Sequence, residues 1–211
     1  MDKRALLPSV MIFVASAVTA ANSVDLRVTG TIVPAACDIT LAGGDFDFGS
    51  INSGNLNATS ETVLASPGQK SINVICSAPT LVGIRAIDNR AGTATNSAED
   101  AYGVGQDAQG GKIGFYFIDI SADPVVDGAT AFKSWSNDAG LNWGATSRSV
   151  LPHTPGVVIS WNITGQNADP DNVTLVAQPI NVQLHIAPTE TLDTSADITI
   201  DGSATIELVY L

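Results

Sequence analysis

The side chains best suited to catalysis or metal binding are few and far apart in this chain of 211 residues. The histidines are His153 and His185, and the cysteines are Cys37 and Cys76. His185 lies on the polar parity of a predicted strand, which favours a surface histidine. Neither the Gly-x-Ser-x-Gly elbow of a serine hydrolase nor the His-Glu-x-x-His motif of a zinc protease occurs. Two cysteines and two histidines would also need carboxylates to complete a zinc site. We therefore expect no enzyme activity, no catalytic residue, no metal site and no cofactor.

Three other groups of residues have the composition of a ligand site but lack its complete pattern. Asp169–Asn172 resembles half of a calcium loop, without the glycine and the distal glutamate, so we interpret it as a polar turn. The glycine-rich run 102–114 lacks the Gly-Lys-Ser/Thr end of a phosphate loop. Trp135, Trp143 and Trp161 could form a sugar platform, although anchoring in a core or loop is the commoner role of tryptophan.

The charge of the chain excludes one large class of partner. Only 14% of the residues are charged, and 21 acidic residues against 9 basic ones give a formal net charge of -12. No basic run interrupts this acidity. The sequence therefore has no electrostatic surface for nucleic acid.

The first twenty residues have the pattern of a secretory signal peptide. Lys3 and Arg4 precede an apolar run from Ala5 to Val18, and the run ends in small residues at Ala20. This run is too short to span a bilayer, and no later apolar run reaches the necessary length. We expect cleavage after Ala20 or Ala21 and export of the mature chain; the alternative is a buried N-terminal helix.

Export determines how the cysteines are interpreted. In an oxidising compartment Cys37 and Cys76 are predicted to form one disulfide. A redox-active pair would require Cys-x-x-Cys spacing or a nearby histidine, and neither is visible. In the loop-entropy model, a disulfide closing a loop of this length stabilises the fold by roughly 3–4 kcal/mol.

Strand patterns dominate the mature chain, and no segment has a sustained helical stripe. Glycine, proline and serine turn clusters separate the strands, which predicts an all-β sandwich in one domain. Residues 88–109 and 134–147 are expected to be loops. The predicted strands are 24–34, 45–51, 70–76, 80–87, 113–120, 156–163, 173–176, 180–186, 196–200 and 204–211.

The first of these strands has one apolar face and one polar face. Its polar parity comprises Asp25, Arg27, Thr29 and Thr31, and its apolar parity comprises Val24, Leu26, Val28, Gly30 and Ile32. Such a strand either pairs within its own sandwich or is donated to another subunit. Gly30 indicates a bulge or a shallow position in the partner groove.

The last predicted strand is also apolar on one face. Ile206, Leu208 and Tyr210 share a parity, and no polar tail follows them in the sequence given. A buried terminal strand with a tyrosine at the next-to-last position is uncommon in a self-contained domain.

Together these features resemble a family of bacterial surface proteins. The signal peptide, the alternating segment with Gly30, the Ala-Ala-Cys sequence at Cys37, the second cysteine and Tyr210 are similar to fimbrial subunits of the chaperone–usher pathway. The inner motifs resemble a proteobacterial branch of fimbrial-like proteins often catalogued as a domain of unknown function. These inner motifs are Gly43–Ile51, Ile72–Pro79, Asp88–Arg90, Tyr102–Gly105 and Lys112–Gly114.

The resemblance implies an incomplete immunoglobulin-like sandwich that lacks its last strand. A periplasmic chaperone would fill the resulting groove, and after delivery to an outer-membrane usher the N-terminal strand of a neighbouring subunit would replace it. Residues 21–34 would be the donor extension, and residues 35–211 the pilin domain. The donor face would be Val24, Leu26, Val28, Gly30 and Ile32. The terminal strand beside the groove, which the chaperone would also contact, would contribute Ala204, Ile206, Leu208 and Tyr210.

The sequence leaves two alternatives to a structural subunit of a surface fimbria. One is a fimbrial adhesin or tip subunit, which would need room for a lectin domain. The other is a secreted carbohydrate-binding β-sandwich that closes its own fold.

Overall fold

The computed structural model describes residues 26–32, 35–144, 148–165 and 169–211. The predicted signal peptide, both candidate cleavage sites and Val24 lie outside the described residues. Residues 26–32 form a part of their own and contain no helix or strand. Leu26, Val28 and Ile32 are 87–100% exposed within it.

Residues 35–211 form an antiparallel β-sandwich, which confirms the predicted fold class. No α-helix occurs in the described residues, and Ser53–Asn55 and Thr189–Thr191 form short 3-10 turns. The strands are β1 (Cys37–Ala42), β2 (Thr62–Leu64), β3 (Lys70–Thr80), β4 (Val82–Asp88), β5 (Tyr102–Gly103), β6 (Gly114–Asp119), β7 (Val125–Val126), β8 (Ala129–Thr130), β9 (Phe132–Ser136), β10 (Val158–Asn162), β11 (Val173–Ile186) and β12 (Ala204–Tyr210).

The strands are divided between two sheets. One sheet has the order β1-β3-β11-β6-β5, with β2 and β7 also pairing with β11 and β8 pairing with β7. The other has the order β12-β4-β10-β9. β1 and β12 are therefore both edge strands, one in each sheet, and each has an edge without a strand partner among the described residues.

The core lies between the two sheets because alternate side chains of each strand point inward. Val74, Val176 and Trp161 have no exposed surface at all. Gln178 is also buried in β11, and its amide is fully used: Nε2 donates to two backbone carbonyls, and Oε1 accepts a hydrogen bond from the Trp161 indole at 3.3 Å. A buried amide with its partners in place fixes the local packing without a desolvation penalty.

The disulfide is formed as predicted. Cys37 and Cys76 lie opposite each other in the β1–β3 ladder and are covalently linked. The link fixes the start of edge strand β1 to the interior strand β3.

Several predicted strand boundaries are wrong. Residues 45–51 and 196–200 alternate in exposure but are not strands, because neither has a strand partner in the described chain. The two strands predicted over 173–186 are one continuous strand, β11, which passes through Pro179. Part of the predicted loop 134–147 belongs to β9.

Candidate functional site

The first wall of the candidate site is the segment 45–51, which we call the first rim. It leaves β1 through Gly43 and Gly44, whose φ values of 98° and 70° favour glycine. Phe46, Phe48 and Ile51 are partly buried against the core, while Asp45 and Asp47 are exposed. The Lys70 ammonium donates to the Gly43 carbonyl and lies 5.6 Å from the centre of the Phe46 ring, which holds the start of the rim.

The opposite wall is the segment 196–206, which we call the second rim. It consists of an unpaired stretch, 196–200, followed after Gly202 by the start of β12. Ile198 and Ile200 are half-buried in the unpaired stretch, and Ala204 and Ile206 continue the same inward parity in β12. The rim therefore presents one apolar face along its whole length.

Both rims have backbone groups without protein partners. No backbone hydrogen bond is made by residues 196–200 in the part of the chain that the structure describes. In the first rim, the described backbone makes only one hydrogen bond, from Gly49 N to the Asp47 carboxylate at 2.8 Å. Two extended apolar edges with free N–H and C=O groups are suited to pairing with an added strand.

An open groove with an apolar floor lies between the rims, and polar groups such as Asp47, Asn52 and Thr194 lie in its walls. It consists of two adjoining cavities of about 780 Å³ and 330 Å³, which share Phe46, Phe48 and Ile200 in their walls. The floor is made by side chains of the core and its margin: Ile113, Ile186, Leu192, Val104, Tyr116, Ile118, Val182 and Leu184. The groove is thus an unfilled part of the sandwich interior.

The register of β12 determines which of its backbone groups face the open edge. Ser203 accepts from the Asn89 amide at 3.0 Å, and Leu211 donates to the Leu81 carbonyl at 3.1 Å. Hydrogen-bonded pairs alternate along an antiparallel ladder, so the odd residues of β12 bond to β4. The backbone groups of Ala204, Ile206, Leu208 and Tyr210 therefore point away from β4, toward the free edge.

Tyr210 connects the two edge strands. Its hydroxyl accepts a hydrogen bond from the Cys37 backbone N–H at 2.8 Å. The ring remains half exposed. This contact holds the end of β12 beside the start of β1 and the disulfide.

A carboxylate fixes the chain where it approaches the second rim. Asp107 accepts from the Asp193 amide at 2.9 Å and from the Gly111 amide at 2.6 Å. These backbone hydrogen bonds, that of Asp193 first, lower the pKa of the Asp107 carboxyl below its usual value. The Ser195 hydroxyl and amide likewise lower the pKa of Asp193. Charged acceptors therefore hold the chain immediately before residue 196.

The predicted site residues fall in two separate parts of the chain. Ala204, Ile206, Leu208 and Tyr210 all lie in β12, and the first two line the smaller cavity. Leu26, Val28, Gly30 and Ile32 lie in the part 26–32, which has no strand.

The histidines have structural surroundings. His185 is more buried than predicted, with a side chain only 13% exposed, because Phe115 stacks on it at 4.4 Å. Its Nδ1 lies 3.3 Å from the Glu61 carboxylate. His153 is half-buried, with Nε2 3.2 Å from the Ala101 carbonyl.

The remaining ligand candidates also have structural roles. Trp161 and Trp135 are buried, so the three tryptophans form no exposed sugar platform. Asp171 caps a polar turn by accepting from the Ile163 amide at 2.8 Å. No group of three metal-binding side chains occurs among the described residues. The described residues also contain no helix long and apolar enough to cross a membrane.

Of the residues that line the groove, the sequence singled out only Ala204 and Ile206 as site residues. The first rim, the stretch 196–200 and the floor were not assigned to a site. A signal for both rims was present, because each is an alternating segment next to a strand at the edge of a sheet. The order in which the strands pair, which places the two rims opposite each other, could not be inferred from the sequence.

The comparisons with known proteins show likeness over different lengths. A family model described as a protein of unknown function (DUF1120) matches residues 26–112, a range that includes the first rim and the Asp88–Arg90 turn. Protein GltF of Escherichia coli (strain K12) is 26% identical over 234 residues, covering 92% of this chain and 90% of that protein. The chain is therefore similar to DUF1120 proteins in its first half and to GltF along nearly its whole length.

Proposed function

We propose that this chain is a structural subunit of a surface fimbria and polymerises by donor-strand complementation. The N-terminal extension of one copy would pair with the rims of the next, so that its apolar face fills the groove. The role is structural and not enzymatic. The observation that carries the proposal is the pair of rims, 45–51 and 196–206, with free backbone edges on either side of an unfilled groove with an apolar floor.

The chain itself contains a segment with the chemistry that the groove requires. Residues 24–32 alternate between apolar and polar side chains with the period of a strand. A strand between the rims would point one parity at the groove floor and the other at solvent. Val24, Leu26, Val28 and Ile32 would then be buried, while Arg27 and its polar neighbours would stay in water.

The energy of this insertion is large compared with the stability of a domain. Burying four large apolar side chains contributes about 1.5–3 kcal/mol each, or roughly 6–12 kcal/mol together. The net stability of a whole domain is about 5–15 kcal/mol. A subunit with an empty groove would therefore be marginally stable and prone to aggregate through its open edges.

This instability supports a need for protection before assembly. We propose that the chain is exported to the periplasm, where a chaperone covers the groove and delivers the subunit to an outer-membrane usher for release at the cell surface. Genes for a chaperone and an usher beside the gene for this chain would support these partners.

The proposal is tested by changing the donor extension alone. Deleting residues 21–34, or substituting Val28→Asp on the donor face, is expected to abolish fibres formed by the purified chain, measured by electron microscopy and sedimentation. Thr29→Asp is the matched control, because it places the same charge one residue along on the solvent face. Fibres formed by the deletion variant would exclude donor-strand polymerisation.

A further inference from the structure

The turn after β4 holds the second rim from behind. Asp88, at the end of β4, is buried, and its carboxylate accepts from the Arg90 amide at 2.8 Å and the Gly103 amide at 3.0 Å. The turn 88–90 is therefore fixed to the body of the sandwich. The side chains of Asn89 and Arg90, the other two residues of this turn, contact the second rim.

Asn89 and Arg90 bind alternate residues of that rim. Asn89 Nδ2 donates to the hydroxyls of Ser203 and Thr205, both at 3.0 Å. Arg90 Nε donates to both the backbone carbonyl and the carboxylate of Asp201 at 3.0 Å, and Nη2 completes an ion pair with that carboxylate. The Asp201 amide in turn donates to the Val104 carbonyl at 3.0 Å.

The residues bound by the turn are interleaved with residues that line the groove. Residues 201, 203 and 205 are held by the turn, and Ile200, Gly202, Ser203 and Ala204 line the smaller cavity. Between Ser195 and Asp201 the described backbone makes no hydrogen bond. Arg90 and the Val104 carbonyl therefore hold Asp201, the residue that directly follows the unpaired stretch 196–200.

We propose that Arg90 is a positioning residue for strand insertion. It holds Asp201 so that the second rim is already extended when the incoming strand arrives. This inference rests on the proposed function. Its physical reason is preorganisation, since an edge that is ordered beforehand loses less conformational entropy when it pairs.

A second ion pair provides a matched control. Arg85 of β4 and Glu207 of β12 form this pair, with Nε 2.6 Å from Oε2. Their side chains are 53% and 37% exposed, against 36% and 58% for Arg90 and Asp201. Glu207, however, lies within the paired part of β12, so losing this pair leaves the unpaired stretch as it was.

The test compares R90Q, R90K and R85Q in the full chain. Each variant also carries V28D, so that its own donor segment does not compete, and is kept dilute enough to stay monomeric by light scattering. The probe is a labelled synthetic peptide of residues 22–34. Its association rate is measured by stopped-flow fluorescence, and amide hydrogen exchange is measured over residues 196–203.

We expect R90Q to slow peptide association by about fivefold, the effect of losing one charge-assisted contact, and to speed amide exchange in 196–203. R90K should be intermediate, because lysine reaches the Asp201 carboxylate but cannot form the guanidinium fork. R85Q should have the same peptide association rate and the same amide exchange in 196–203 as the chain that carries V28D alone. If R90Q does not fold, D201N removes the same ion pair from the other side.

The two ways of failing are distinguishable. Peptide binding by R90Q at the same rate as R85Q, with unchanged exchange in 196–203, overturns the role of Arg90 alone. A parent chain that binds no peptide overturns the proposed function, and the role of Arg90 with it.

Discussion

At the scale of single residues, Asp107 has the clearest link between its chemistry and the groove. Its ionised carboxylate accepts backbone hydrogen bonds from Asp193 and Gly111, and so holds the chain just before the second rim. The neutral acid is a weaker acceptor. The strength of this contact should therefore depend on pH.

The first prediction concerns that dependence. The pKa of Asp107 is lower in the folded chain than the usual value of an aspartate, chiefly because the Asp193 amide donates to it. A lowered pKa means that the contact contributes its full stability above the unfolded-state pKa, and that this contribution is lost as the pH falls through the lower folded-state pKa. Asp107→Asn should therefore reduce the free energy of unfolding at pH 6 and have a smaller effect at pH 3, measured by urea denaturation.

The control for this prediction is Asp169→Asn, an exposed aspartate in a different turn. It removes the same charge from the chain without touching Asp193. An equal pH dependence for the two variants would mean that net charge, and not the Asp107 contact, causes the effect.

At the scale of elements, the groove lies between two alternating segments that have no strand partner among the described residues. Alternation in the sequence predicted strands at 45–51 and 196–200, and the side chains do alternate in burial. A strand also needs a neighbour to accept its backbone hydrogen bonds, and the part of the chain that the structure describes supplies none there. The alternation of side chains was therefore predicted correctly. The strand assignment was wrong because a strand also depends on a partner elsewhere in the fold.

Other elements were predictable to different degrees. β4 and β12 were close to their predicted bounds because their apolar parity is uninterrupted. β11 was predicted in two pieces because Pro179 cannot donate a ladder hydrogen bond, yet the strand continues through it. The order in which the strands pair could not be predicted from the sequence, since which strands become edges depends on long-range contacts throughout the sandwich.

Within β12, an aspartate introduced on the inward face should abolish peptide binding, whereas an aspartate on the outward face should not. Leu208→Asp places a carboxylate on the apolar face next to the free edge, where burial by an incoming strand would leave it without a partner. We expect this variant to bind no peptide of residues 22–34 and to be lost before export. Peptide binding is measured by fluorescence anisotropy, and export by the amount of protein at the cell surface.

Val209→Asp is the matched control, because Val209 lies on the opposite face of the same strand from Ala204, Ile206 and Leu208. It should bind the peptide and reach the surface as the unmodified chain does. Equal loss in both variants would indicate general destabilisation of β12 and would remove the groove from the explanation.

At the scale of the whole molecule, the proposed donor and acceptor surfaces belong to one chain but are different surfaces. An interface between two different patches of identical subunits is head-to-tail, and such contacts form open polymers unless the geometry closes a ring. The proposed polymer thus requires both surfaces in every internal subunit. A chain with only one of them can occupy only an end.

The last prediction uses that requirement. V28D retains an intact groove with a disabled donor, and L208D retains an intact donor with a disabled groove. Neither variant alone should form fibres. Mixed in equal amounts, they should form one-to-one dimers, because the donor of the L208D chain can enter the groove of the V28D chain and no surface then remains for growth. Multi-angle light scattering gives the mass of the product. A mixture that stays monomeric would show that the donor segment does not occupy the groove, whereas fibres would show that growth uses a surface other than these two.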